Sequence, residues 1–357
     1  MTPGRPSGRR RAVSPLARRL ARRHRGADRD QPKKKRQPRW EWLQAAGTLC
    51  TGVAVVVSIF ALLSTNASNQ AQHDLAEEGQ VSERFSKSVE QLASDILGVR
   101  LGGIYGLERI MRAARSSDGD EPAVIGVLCA FVREKTSSHP SGVQPDPATV
   151  TPAIDVQAAL TVISRRPYAA ATGPLIDLAH AHLDGADLQG ADLSHAQLAG
   201  SSLAHAALAH AILDQATLDY ADLTLANLNQ AHLIGTHLRG ADLTRANLSQ
   251  AHLDGAIASQ AIAAYANLND ATATYATLSY IDLSHAQAGD ISLTHAVLVR
   301  ADLSGAQLLG AHLEHADLDH ANISGTNLST ATLGTTNLTG VIHDQHTHLP
   351  AGTVLPP

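Results

Sequence analysis

Aromatic side chains are scarce in this chain. Its 357 residues include only 2 Trp, 3 Phe and 6 Tyr, or 3% of the total. An ordinary globular core of this size uses more large side chains, because aromatic residues dominate core packing. The scarcity, together with abundant alanine, favours a repetitive core built from small residues.

Cysteine and catalytic motifs are also lacking. The two cysteines, Cys50 and Cys129, lie far apart, and Cys50 falls inside an apolar segment, so no disulfide framework is expected. No nucleophile–base motif, phosphate loop or zinc-ligand spacing occurs. We therefore expect no enzymatic activity, no cofactor and no metal.

Charge is unevenly distributed along the chain. Residues 1–40 hold 15 of the 28 Lys and Arg and only two acids, whereas residues 175–342 hold 16 Asp and Glu and three Arg. A basic tail of about +13 therefore precedes an acidic body of about −13, which indicates a membrane or nucleic-acid contact for the tail. Its composition predicts disorder over residues 1–39.

An uncharged apolar segment follows the basic tail. Residues 43–63 match the ~20 residues that cross a bilayer as a helix, and Trp40 and Trp42 lie at the start, where the interface favours aromatic rings. No Lys or Arg follows until Arg84. The positive-inside rule predicts a single-pass cell-membrane protein with a cytoplasmic N-terminus and the remainder outside the cytoplasm.

The middle of the chain has helical spacing. Val81, Phe85, Val89 and Leu92 recur at helical intervals, and further helices are predicted over residues 101–114, 121–135 and 155–165. The polar residues Arg100, Glu108, Arg109 and Arg112 are interpreted as solvated helix faces, with a partner surface as the alternative. We expect this region to cap the repeats that follow, because repeat arrays need protected ends.

A five-residue period runs without insertion from Ile176 to Val341. Blocks such as AHLDG, ADLQG and ANLNQ consist of a small residue, a polar residue, Leu and two variable residues. Of 33 central positions from Leu178 to Leu338, Leu fills 28, Ile one and Ala four. Three extended residues would bury the small residue and the Leu and expose the polar one, and the other two would turn a corner.

Four such corners predict a square coil of 20 residues. Stacked coils should then align residues 20 apart in columns. One column contains six successive amides: Asn227, Asn247, Asn267, Gln287, Gln307 and Asn327. Another reads Asp222, Asp242, Ile262, Asp282, Asp302 and Asn322.

The repeat resembles the pentapeptide-repeat family, whose signature is A(D/N)LXX. The resemblance covers residues 176–342 and implies a mainly β fold, a right-handed quadrilateral β-helix. The stretch GQVSERFSKSVEQLASDILGVRLGGIYGLERIM, with VLCAFVRE after it, is similar to the helical region of bacterial membrane-anchored members.

These features divide the chain into six predicted segments. They are a basic tail (1–39), a transmembrane helix (40–64), a helical spacer and cap (65–136), a linker with a short capping helix (137–174), the β-helix (175–342) and a C-terminal cap or tail (343–357).

One coil departs from the pattern. Residues 256–275 have Ala258, Ala263 and Ala273 at central positions, which predicts a cavity. Ile257 and Ile262 stand at outward positions of the same coil. Either the backbone distorts to turn them inward, or they form an apolar stripe beside Tyr265, Tyr275 and Tyr280.

Two candidate partner surfaces follow from the columns. The first is the acidic column of Asp222, Asp242, Asp282 and Asp302; as an alternative, its pairs 222/242 and 282/302 could hold a divalent cation. The second comprises Ile257, Ile262, Tyr265 and Tyr275. Stacked histidines such as His295 and His315 offer only two ligands in line, fewer than a zinc site uses.

The sequence favours a membrane-anchored, non-enzymatic scaffold that binds a protein partner rather than nucleic acid, and leaves self-association open. The alternative is an acidic DNA mimic. The resemblance carries that idea, since some pentapeptide-repeat proteins resemble B-form DNA and protect or inhibit DNA gyrase. A rod outside the cytoplasm would not meet gyrase.

Overall fold

The computed structural model describes residue 70 and residues 79–113, 120–137, 151–166 and 175–355. Residues from 72 onward belong to one compact unit. The predicted tail, the span over residues 43–63 and most of the linker lie outside the described residues. Within the described ranges, no helix combines the length and apolar character needed to cross a bilayer. The membrane span therefore stays a prediction.

Within the described ranges, four helices of more than one residue precede the repeats. They are α1 (79–92), α2 (Leu97–Ala113), α3 (Asp120–Thr136) and α4 (Ile154–Ser164). Helices α2, α3 and α4 pack against one another in pairs. Their apolar faces meet in a small core that includes the buried Leu107, Met111, Leu128 and Leu160.

One polar residue of α2 is placed differently from expectation. Arg100 does not lie on a solvated face: its Nε donates to the buried carboxylate of Asp155 in α4 at 2.6 Å. The ion pair joins α2 to α4 and leaves the Arg100 side chain mostly buried. Arg112 lies on a solvated face as expected, and it donates to Glu108, one turn earlier, at 2.7 Å.

Residues 175–349 form a four-sided coil. In each repeat the first and third residues point into the lumen, and the second lies on the outer side. Successive coils are joined by parallel bridges of a single residue, 20 residues apart, from Asp177↔Gln197 to Asn322↔Ile342. The predicted square coil of 20 residues is confirmed. Among the described repeats, the sides are single-residue bridges rather than extended strands.

The corners are tight turns closed by a backbone hydrogen bond. At the first corner, the Ala181 N–H donates to the carbonyl of Leu178 at 3.1 Å. The fifth residue of the repeat has positive φ, as at His180 with 58°. This is the geometry of a type II turn, which needs a left-handed residue at its third position.

The helices close the N-terminal end of the coil. The first coil has no preceding coil to accept its N–H groups, and side chains of α3 and α4 supply acceptors instead. The His182 N–H donates to Thr136 Oγ1 at 3.2 Å, and the Asp187 N–H donates to Gln157 Oε1 at 3.0 Å. Gln157 Nε2 in turn donates to the Asp187 carbonyl at 2.7 Å.

The repeat register ends at residue 342. The next bridge joins Asn327 to His348, a separation of 21 residues, so the last corner contains one extra residue. Asp344 stabilises this longer corner by accepting the N–H groups of Gly325 and His346 at 2.8 and 3.0 Å.

Candidate interaction surface

The acidic column has a structural role within the coil. In each case Oδ1 of the aspartate accepts the N–H of the residue two positions later, at 2.9 Å. These pairs are Asp222 with Thr224, Asp242 with Thr244, Asp282 with Ser284 and Asp302 with Ser304. The bond holds the residue that enters the corner, which is why Asp and Asn recur at the second position of the repeat. This hydrogen bond engages only Oδ1 of each carboxylate. The four aspartates lie on the same side of the rod.

The second candidate surface lies on coil 256–275 and the repeat after it. We call the tyrosine patch the set Ile257, Ile262, Tyr265, Tyr275 and Tyr280. Ile257 and Ile262 occupy adjacent sides of the rod, and Tyr275, Tyr280 and Tyr265 occupy the corners that flank these sides. The patch is thus convex and wraps around two sides.

The isoleucines stay outside the lumen. Ile262 is 42% exposed and bridges to Asp242 and Asp282 with the regular 20-residue spacing. Ile257 makes the corresponding bridges to His237 and Thr277. The expectation that the backbone distorts to turn these side chains inward is therefore wrong, and the apolar stripe is the arrangement present.

Two of the exposed tyrosines, Tyr275 and Tyr265, stack on histidine rings of the next coil. Tyr275 is 68% exposed and stacks on His295 with centroids 4.7 Å apart and planes 5° apart. His295 stacks in turn on His315 at 4.6 Å, and His315 Nδ1 contacts Thr335 Oγ1 at 2.5 Å. The predicted stack of His295 and His315 is confirmed, and Tyr275 lies in the same column.

A second ring stack orders Tyr265. Its ring lies 4.9 Å from that of His285, nearly parallel, and the Arg245 guanidinium sits 5.7 Å from its centroid on the preceding coil. A cation at that distance from an aromatic face is attracted by the ring quadrupole. The 20-residue register predicts which residues stack in a column, but the ring orientations depend on the corner geometry.

The amide column forms the expected ladder over part of its length. Asn247 Nδ2 donates to Asn227 Oδ1 at 3.2 Å, and Asn267 Nδ2 donates to Asn247 Oδ1 at 3.1 Å. Asn327 Nδ2 reaches Gln307 Oε1 at 3.4 Å. These bonds tie neighbouring coils together on a side of the rod different from that of the aspartates.

Other reactive side chains do not assemble into a site. His232 and His252 lie 5.1 Å apart with tilted rings. In the described part of the chain, no group of three or more His, Cys, Asp and Glu is placed to hold a metal ion. Burial raises the pKa of the Cys129 thiol to about 11, which keeps the sulfur protonated and unreactive near neutral pH.

Fold and surface together define a class of protein: a solenoid of five-residue repeats with a patterned exterior. The family model for pentapeptide repeats matches eight copies, over residues 176–215, 196–233, 221–257 and 292–334. Residues 258–275, which make up most of the coil with alanine at its central positions, lie outside the matched ranges. Through this region the chain belongs to the pentapeptide-repeat family, and the right-handed quadrilateral β-helix implied by the resemblance is the fold of the family.

Several solved structures of repeat proteins are similar to this chain. HetL, a pentapeptide repeat protein involved in heterocyst differentiation regulation from Nostoc sp. strain PCC 7120, is 33% identical; the match covers 50% of this chain and 89% of HetL, with a TM-score of 0.28. Rfr23 from Cyanothece 51142 is 26% identical over 33% of this chain and 90% of its own, with a TM-score of 0.19. Full-length QnrB1, a plasmid-mediated fluoroquinolone resistance protein, is 18% identical over 48% and 92%, with a TM-score of 0.24. No curated protein matches the chain.

Proposed function

We propose that this protein is a non-enzymatic, membrane-tethered scaffold that binds a protein partner through the tyrosine patch. The observation that carries the proposal is the patch itself: Ile262, Tyr265, Tyr275 and Tyr280 are 42–68% exposed, and the patch covers two adjacent sides of the rod and the corners that flank them. Contiguous exposed apolar surface on a soluble domain is characteristic of interaction sites.

Pre-ordering of the rings supports a binding role. Tyrosine is enriched at the energetically dominant positions of protein interfaces. Because His295 and Arg245 restrain Tyr275 and Tyr265, their side chains would lose little conformational freedom on binding. The coils beneath are bonded at every side, so the patch keeps its shape when a partner docks.

The surroundings of the patch favour a partner with positive charge beside an apolar anchor. Asp242 and Asp282 bridge directly to Ile262 from the coils on either side. Complementary charge around an apolar contact fixes orientation and speeds association. The tether is supported by the uncharged sequence over residues 43–63 and its basic flank.

Site-specific photocrosslinking tests the proposal. A photoreactive phenylalanine replaces Tyr275 in cells, and the matched control replaces Tyr220, which is a corner residue of equal exposure (67%) outside the patch. We expect Tyr275 to give a discrete protein adduct that Ile262→Asp abolishes, and Tyr220 to give none. Identical adducts at both positions, or none at Tyr275, would exclude the patch as the binding surface.

The DNA-mimic alternative makes a different prediction. It assigns binding to the acidic column, so charge reversal at Asp242 and Asp282 should remove gyrase binding while Ile262→Asp leaves it unchanged. A direct binding assay between gyrase and the purified wild-type and variant proteins distinguishes the two predictions.

A further inference from the structure

The lumen of the rod contains an apolar cavity at the coil where leucine is missing. Its volume is about 30 Å³, and its lining side chains are all Ala, Leu or Ile. Ala258, Ala263 and Ala273 border it, and Ala288 extends it into the next coil. The cavity predicted from the sequence of this coil is therefore present.

Leucines around the cavity keep accessible surface inside the rod. Leu268, Leu278 and Leu283 point into the lumen, yet they are 5–7% exposed. Equivalent leucines of an ordinary coil, such as Leu218, Leu223 and Leu228, have none. The additional accessible surface of these three leucines faces the void left by the missing side chains.

The surrounding backbone prevents the cavity from closing. The N–H groups of Ala258, Ala263 and Ala273 donate to the next coil at 2.7–2.8 Å, the same distances found at leucine-centred repeats. Coil spacing is thus set by hydrogen bonds and not by lumen volume. Ile281 and Ile291, which replace the usual alanine, restore only part of the missing volume.

We propose that this cavity is a binding site for one small apolar molecule of the size of xenon or dioxygen. The volume exceeds the ~10–15 Å³ that a single water needs, but no polar lining atom could hold a water there, and apolar cavities of this kind stay dry and accept apolar guests. A guest of matching size restores the dispersion contacts that the lining atoms lack.

Xenon is the probe that tests the site, with the purified chain in detergent. Under about 10 atm of xenon we expect a saturable shift in the ¹²⁹Xe resonance and a rise in Tm of about 1–3 °C relative to helium at equal pressure, as binding to the native state requires. Ala263→Leu, which fills the void, should abolish both effects. Ala264→Leu, one residue along and outside the lumen, should keep them.

Two outcomes would overturn the proposal: no specific xenon response in the wild-type chain, or an unchanged response in Ala263→Leu. If Ala263→Leu does not fold, Ala273→Val provides the smaller filling, and it should weaken xenon binding several-fold. An unchanged affinity in that variant also counts against the site.

Discussion

The fifth residue of each repeat controls how consecutive coils approach one another at a corner. At one corner of the first four coils, rings and glycines alternate as His180, Gly200, Tyr220 and Gly240. A Cβ added to Gly240 would lie 2.8 Å from the Tyr220 ring, and a Cβ added to Gly200 would lie 2.7 Å from the His180 ring. In the sequence pattern this position is variable. Its constraint arises from positive φ and from packing between coils, neither of which the five-residue period reveals.

Two glycine substitutions separate these causes. Gly240 and Gly255 both have positive φ, but nothing lies within 4 Å of a Cβ at Gly255. Both alanine variants should lose about 1 kcal/mol from backbone strain. Gly240→Ala should lose about 1 kcal/mol more, because the Tyr220 ring must move. Chemical denaturation measures the difference, and Tyr220→Ala should remove it; equal losses in both variants would contradict this packing role.

Asp254 predicts a pH-dependent contribution to stability. Burial alone would raise the pKa of its carboxyl group, but hydrogen bonds from the Thr272 hydroxyl at 2.6 Å and from the Thr274 hydroxyl and N–H outweigh it and hold the pKa below its usual value. A depressed folded-state pKa stabilises the protein above the unfolded value of about 3.9, and this stabilisation is lost as the pH falls through the folded pKa.

Asp254→Asn should therefore lower the free energy of unfolding by about 1 kcal/mol at pH 7, a modest value because solvent screens this partly exposed group. The difference from wild type should shrink as the pH falls through the depressed folded-state pKa. Asp270→Asn, at an exposed corner of the rod, is the control and should change stability by less than about 0.5 kcal/mol. If Asp254→Asn lowers the free energy of unfolding by the same amount at every pH, the hydrogen bonds from Thr272 and Thr274 do not depend on the ionised carboxylate.

At the scale of elements, the helices and the coil could be predicted where the sequence has a regular period. Val81, Phe85, Val89 and Leu92 predicted a helix, and the structure has α1 over residues 79–92. The coil followed from the unbroken five-residue period, including its 20-residue register. The Arg100–Asp155 pair and the one-residue insertion before His348 did not, because each depends on how separate segments meet.

The surface was predicted less well than the fold. Ile257 and Ile262 lie on the outer side of the coil as their positions in the repeat predict, whereas the aspartates of the acidic column accept backbone N–H groups, which the column chemistry alone did not reveal. A structural role and a binding role select the same residue type at that position. Sequence alone could not separate them.

The helical cap should contribute measurably to rod stability. Gln157→Ala removes both hydrogen bonds to the backbone of Asp187 and should lower the free energy of unfolding by about 1–2 kcal/mol. Hydrogen exchange at the Asp187 amide should accelerate before that of later coils. Ser164→Ala, whose hydroxyl bonds only within α4, is the control. Equal exchange in both variants would mean that the cap does not protect this edge.

For the whole molecule, the described residues form a capped rod with an apolar, tyrosine-bearing patch. Under the proposed membrane tether, the side of the membrane on which the rod lies decides which partners it meets. The charge distribution predicts that the rod lies outside the cytoplasm, opposite the basic tail. Single cysteines at Thr335 on the rod and Ser14 in the tail, in a background that carries Cys50→Ser and Cys129→Ala, distinguish the two sides.

Labelling of intact cells with a membrane-impermeant thiol reagent is the most direct test of the membrane-tethered scaffold. If the rod lies outside the cytoplasm, we expect modification of the Thr335→Cys variant in intact cells and of the Ser14→Cys variant only after lysis. Modification of both variants only after lysis would place the rod in the cytoplasm and contradict the account.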